Sequence, residues 1–196
     1  MMDKMDEEGI RKAIRRRELE DTLKGECLSS ISDRVSRYLE LNFIEVTPNE
    51  HFASISAECI RLYRDGYFFA CIALCQAVAE ALVRFMCEVS EFGASISQDF
   101  EENVGKLRKR NIRPDCSKLL KEIWEGRHDY HHLKPKVPTE REKLQAIAKN
   151  KMIALHGVES EVFAFEWVGG AIKPKYPKYW PKTNNGLLNA FLRFEP

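Results

Sequence analysis

Apolar residues recur every three or four positions along most of the chain, the period of a helix with one face turned inward. Residues 5 to 24 read as a charged first helix whose thin apolar seam is Ile10, Ile14 and Leu23. Leu28, Ile31, Val35 and Leu39 predict a second helix. Thr47-Pro48-Asn49-Glu50 reads as a capping box, with Thr47 as the cap and Pro48 at the first helical position. Phe52, Ile55, Cys59 and Leu62 make the stripe of the helix that follows, and Asp65-Gly66 predicts a turn. From about Tyr67 to Val89 the pattern is apolar on nearly every side, which predicts the central helix of a bundle. Gln76, Glu80 and Arg84 interrupt this run at four-residue steps, arguing for a buried helix over a membrane span.

Phe92-Gly93 ends that segment, and residues 98 to 110 predict a shorter helix that closes on Lys106, Arg108, Lys109 and Arg110. Pro114 suits the first turn of another helix, with Leu119, Leu120, Ile123 and Trp124 facing inward. That helix runs into a histidine cluster. Pro135 forces Lys134 out of helical geometry, which places the cluster in the last turns. Thr139, three residues before Glu142, predicts the cap of a last long helix that packs through Leu144, Ile147 and Met152. Beyond Gly169-Gly170 no period is sustained. Tyr176, Tyr179, Trp180, Phe191 and Phe194 suggest a strap over the bundle, with a short helix at 187–194; the alternative is that these rings and the neighbouring lysines stack bases and neutralise phosphates.

Long alternating β-branched runs are missing, and so is a Gly-rich phosphate loop. The expected fold class is therefore all-α. It comprises an N-terminal helical appendage (1–27), a helical bundle (28–165) and an aromatic, lysine-rich C-terminal extension (166–196).

Composition narrows the function. A formal net charge of +1 gives no global field toward nucleic acid or an acidic membrane, so a phosphate site must be local. Arg15-Arg16-Arg17 could touch a phosphate backbone, though such a cluster is more often solvated helix surface. The six cysteines form no CxxC pair and read as packing residues in a reducing compartment. The N-terminus has no apolar signal segment, and the expectation is a cytoplasmic protein.

The chemistry gathers at Arg127-His128-Asp129-Tyr130-His131-His132, which holds three of the five histidines. Arginine forks around a phosphate, and histidine exchanges protons near neutral pH. On a helix, Arg127 and His131 share one face, and His128 and His132 share the next. Arg127 and His132 are misaligned and converge only at a frayed end or across a wide cleft, which a two-fold dimer supplies. There Arg127 would bind the scissile phosphate while histidines remove the RNA 2′-hydroxyl proton and protonate the leaving 5′-oxygen. Asp129 would orient a histidine or position Arg127, and Lys134 and Lys136 are candidate phosphate contacts. His128, His132 and Asp129 are also conceivable metal ligands, and a solvated helix C-terminus is the bland alternative. Glu80 is a carboxylate among apolar residues; it pairs with Arg84 four residues on, or it meets Arg127 or a histidine.

Two segments carry a family resemblance: YRDGYFFACIALCQAVAEALVRFMCE and EIWEGRHDYHHLKP. Over roughly residues 48 to 155 the chain resembles the HEPN superfamily, named for higher eukaryote and prokaryote nucleotide-binding domains. The resemblance implies a helical bundle that dimerises with its motifs facing each other. It implies a metal-independent endoribonuclease without cofactor, in defence, toxin–antitoxin or RNA-processing settings. Other members are noncatalytic binding or dimerisation modules. Arg127 and His132 would be the catalytic pair, His128 the variable polar position, and Glu80 a supporting acid. His131, an addition to the family pattern, is the substitute. The implied partners are a second copy, RNA or a nucleotide, and a protein such as an antitoxin, with no membrane.

Overall fold

In the computed structural model, which describes residues 3–41 and 46–192, the N-terminal stretch forms one uninterrupted helix, α1 (Asp3–Leu39), where two were expected. Gly25 costs the helix about 1 kcal/mol relative to alanine, which is too little to end it. Ion pairs Arg11–Glu7, Arg16–Glu20 and Lys24–Asp21 support it along its length. The chain divides into two units, Met1–Glu40 and Leu41–Pro196.

The second unit begins with β1 (Val46–Thr47) and α2 (Glu50–Asp65). Asn49 is the cap of α2, not Thr47: its side-chain oxygen accepts from the His51 N–H at 2.9 Å and the Phe52 N–H at 3.4 Å. Thr47 is drawn into β1 instead, and its hydroxyl donates to the Asn49 carbonyl at 3.2 Å. Gly66 ends α2 in the left-handed region (φ 82°), the turn expected there.

Next comes α3 (Phe68–Val89), followed by α4 (Phe100–Lys109), α5 (Ser117–Trp124), α6 (Arg127–His131) and α7 (Arg141–Val162). The apolar α3 packs against α2, α4, α5, α6 and α7. It is long and apolar enough to cross a membrane by length and composition alone. Cys71, Ile72, Cys75, Ala79 and Leu82 from α3 meet Tyr63, Met152, Leu155 and Val158 in the core. Five cysteines are buried and Cys27 is exposed, all as free thiols. Burial pushes the Cys116 thiol up to about 12, so it packs as a neutral group.

Two helix starts differ from expectation. Ser117, not Pro114, begins α5, because the Asp115 carboxylate accepts from the Ser117 N–H at 3.0 Å and sets the entry turn. Glu140, not Thr139, occupies the cap position of α7.

The all-α expectation is overturned. The fold is mixed α/β, with two two-stranded antiparallel sheets beside the helices. In one, β2 (Phe165–Val168) pairs with β3 (Ala171–Pro174), Val168 opposite Ala171. Gly169 (φ 59°) and Gly170 (φ 79°) take the two positive-φ positions that a tight two-residue hairpin requires. In the other, β4 (Phe191–Leu192) returns to β1, with Thr47 opposite Phe191. The helix expected at 187–194 is therefore absent from its described part, and Phe194 lies outside the described residues. Tyr179 and Trp180 are buried in the core, and the Tyr179 hydroxyl donates to the Arg113 carbonyl at 2.8 Å.

Candidate functional site

The site starts with the way α5 ends. A helix leaves its last carbonyls without backbone partners. Here the Lys151 ammonium, from α7, donates to the carbonyls of Glu122 (3.0 Å), Ile123 (2.9 Å) and Glu125 (2.8 Å). From α3, the Gln76 amide donates to those of Ile123 (3.2 Å) and Glu125 (3.4 Å). Lys151 is only 6% exposed, and burial lowers its pKa. These contacts stop α5 at Trp124 and turn the chain at Gly126 (φ 72°).

The histidine cluster thus stands on its own five-residue helix, α6, and not in the last turns of α5. Tyr130 anchors it, 7% exposed, with its ring 5.7 Å from that of Phe69. His128, His131 and His132 are exposed, while Arg127 and Asp129 are half-buried. Gly126→Ala should cost about 1 kcal/mol in chemical denaturation, because a Cβ is strained at this φ.

Arg127 lies toward the body. Its guanidinium carbon sits 4.4 Å from the centroid of Trp124, whose other neighbour is the Phe100 ring, stacked at 3.8 Å. Glu80 holds both arginines weighed for it: Oε2 is 3.4 Å from Arg127 Nη2 and Oε1 is 3.2 Å from Arg84 Nη2. Arg84 is shared with Gln98 at 3.0 Å. The Arg127 Nε is buried and has no hydrogen-bond partner among the described residues. His131 senses this side of α6. Burial and the Arg127 charge, in that order, lower its pKa, against the opposing pull of Glu80.

The other side carries His128 and His132, whose ring centroids are 4.4 Å apart, edge to face. Asp129 takes Lys134 on one oxygen (3.2 Å) and Lys136 on the other (2.8 Å). The hydrogen bond from Lys136 holds its carboxyl below the usual range. Asp129 thus gathers the two lysines, and orients neither histidine nor Arg127. The nearby Lys134 charge lowers the pKa of His128, with desolvation and His132 adding to the effect. Arg127 and His132 share no hydrogen bond or ring contact; α6 does end at His131, with His132 as its C-terminal cap.

A cleft of about 640 Å³ opens beside Arg127, His128 and Asp129; its wall also holds Lys118, Lys121 and Trp124, with Glu101, Glu122 and Glu125 among them. Its volume suits a nucleotide-sized ligand. Among the described residues, no three His, Cys, Asp or Glu side chains gather as a metal-ligand set.

Sequence reasoning missed four contributors. Lys118 and Lys121 lay in plain view, three residues apart on one helix. Lys151 falls at four-residue spacing between Ile147 and Leu155, a charged residue on an apolar stripe. The sequence marks Trp124 only as an inward-facing apolar residue.

His128 and His131 should titrate below the ordinary 6.5 when followed by NMR. Lys134→Gln should raise the His128 midpoint. For each imidazole the unfolded chain binds more protons between the lowered folded pKa and 6.5. Stability contributed by these groups therefore falls as pH drops through that window.

No protein-family model, curated protein or solved structure matches the chain. The toxin–antitoxin and defence settings implied by the resemblance have no support there and are withdrawn.

Proposed function

We propose that the chain is a HEPN-like, metal-independent endoribonuclease that cleaves through attack of the 2′-hydroxyl at a composite homodimer cleft. The carrying observation is Arg127. It is held on Trp124 and Glu80 in the wall of a nucleotide-sized cleft, immediately before His128 of the His128–His132 pair. An incoming phosphate competes with Glu80 for the guanidinium fork. The neighbouring Lys134 lowers the pKa of His128, which favours the form that takes the 2′-hydroxyl proton. His132 or His131 donates to the leaving 5′-oxygen. A second copy supplies the facing wall, since Arg127 and His132 of one chain do not meet.

A second reading draws on the same ion pairs. Glu80 neutralises Arg127, and Asp129 engages Lys134 and Lys136, which suits a noncatalytic module that binds RNA or a nucleotide. Incubation with RNA in EDTA separates the two. The nuclease cuts RNA and spares the same sequence carrying 2′-O-methyl groups. Binding without cutting leaves the module, and neither binding nor cutting removes both.

A further inference from the structure

The long helix α1 carries an exposed apolar stripe. Ile10, Ile14, Leu28, Ile31 and Val35 are 53, 54, 70, 46 and 53% exposed. At 3.6 residues per turn they fall within an arc of about 100°. Arg17, Asp21 and Lys24 fill the same arc between Ile14 and Leu28. Together these eight positions step by four and three residues alternately, the spacing of a coiled-coil seam. Ala13, Gly25, Cys27 and Ser32 flank the seam with small side chains that let another helix approach.

The central charges determine what fits. A parallel second copy in register would set Arg17 on Arg17, Asp21 on Asp21 and Lys24 on Lys24. An antiparallel copy removes every like-charge layer. In one register Ile10 meets Val35 of the partner copy, Ile14 meets Ile31, Arg17 lays its aliphatic stem on Leu28, and Asp21 meets Lys24. The two-fold axis repeats each layer. Sliding by one heptad sets Lys24 against Ile14 in one direction, or Asp21 against Ile31 in the other. Within one chain Asp21 and Lys24 already pair at 3.5 Å, both about two-thirds exposed (64% and 69%). In the antiparallel pair each carboxylate lies between two ammonium groups, at the centre of an overlap of about 39 Å.

We propose that α1 is a homodimerisation helix that pairs antiparallel with α1 of a second copy through this seam. The pairing stands on α1's own pattern and not on the nuclease reading, and it goes beyond that reading by naming a surface, an orientation and a register.

Charge swaps in the full-length protein test it, read by sedimentation equilibrium. Asp21→Lys and Lys24→Asp should each weaken the dimer about tenfold or more, because each creates like-charge layers on both sides of the axis. The double swap should restore the affinity to within about threefold. Mixing the two single variants should form a heterodimer, since every central layer is again complementary. Far-UV circular dichroism checks that each variant keeps its helix content. A monomer at high micromolar concentration, or a dimer indifferent to the swaps, overturns the proposal. RNA cleavage is read separately in EDTA: a dimer indifferent to the swaps leaves the composite cleft untouched, whereas a monomer that still cuts RNA would overturn the two-copy site as well as this pairing.

Discussion

Replacing Arg127 by alanine is expected to lower the rate of RNA cleavage in EDTA by about 10²- to 10³-fold, the usual cost of removing a donor aimed at developing transition-state charge. The fold should survive, because the guanidinium contacts are peripheral: one face rests on Trp124, and one nitrogen reaches Glu80 at 3.4 Å. Arg127→Lys keeps the charge but loses the fork and the stacking plane, so it should recover only a small part of the rate. Glu80→Gln gives the converse test. Glu80 holds Arg127 in place and also competes with the phosphate for it. Its removal should therefore move KM and kcat in different proportions, whereas Arg127→Ala should act chiefly on kcat. An Arg127→Ala protein that folds and cleaves at the wild-type rate would end the proposed role of this residue.

The largest stability effect is expected at Lys151. Its removal takes the ammonium from three carbonyls at the end of α5, leaving the Gln76 amide as donor to two of them, in a buried setting. Lys151→Ala should cost about 3 kcal/mol or more. In a domain of this size that lowers Tm by about 6–12 °C. Lys151→Met fills the volume without restoring a donor and should lose nearly as much, which separates lost hydrogen bonds from lost packing. The proton linkage adds a signature. Burial lowers the folded pKa of Lys151 below its ordinary 10.5, so the unfolded chain binds more protons between the two values. The contribution of this group to stability therefore rises with pH across that window, and the methionine variant lacks the rise. Cleavage should fall with stability in both variants, because the α5 terminus sets the turn at Gly126 from which Arg127 projects. A melting temperature unchanged in Lys151→Met would contradict this account.

Local signals explain which features were legible in the sequence. The α3 run is apolar on nearly every side and reads as a core helix without any tertiary knowledge. Gly66 reads as a turn because α2 loses its period there. Glu80 offered two partners, and a carboxylate has two oxygens: Arg84 takes one and Arg127 the other. The hairpin was legible in principle. Gly169-Gly170 sits between two four-residue runs, the strongest length for a tight β-turn, but the runs are too short to show alternation. The break between α5 and α6 was not legible. An isolated glycine inside a helical pattern is usually tolerated, and what makes Gly126 a boundary is the capping of α5 by Lys151 and Gln76, both distant in sequence. Asp129 was misjudged for a related reason. Its partners Lys134 and Lys136 come within reach only once α6 has ended and the chain has turned back.

The central claim is a reaction, cleavage of RNA by its own 2′-hydroxyl with Arg127 and the histidine cluster as the machinery. Mass spectrometry of the termini formed when the purified protein acts on a defined RNA in EDTA tests it most directly. The account predicts 2′,3′-cyclic phosphate or 3′-phosphate ends facing 5′-hydroxyl ends, absent with Arg127→Ala. Intact RNA, or cut ends bearing 5′-phosphate and 3′-hydroxyl groups, would contradict it.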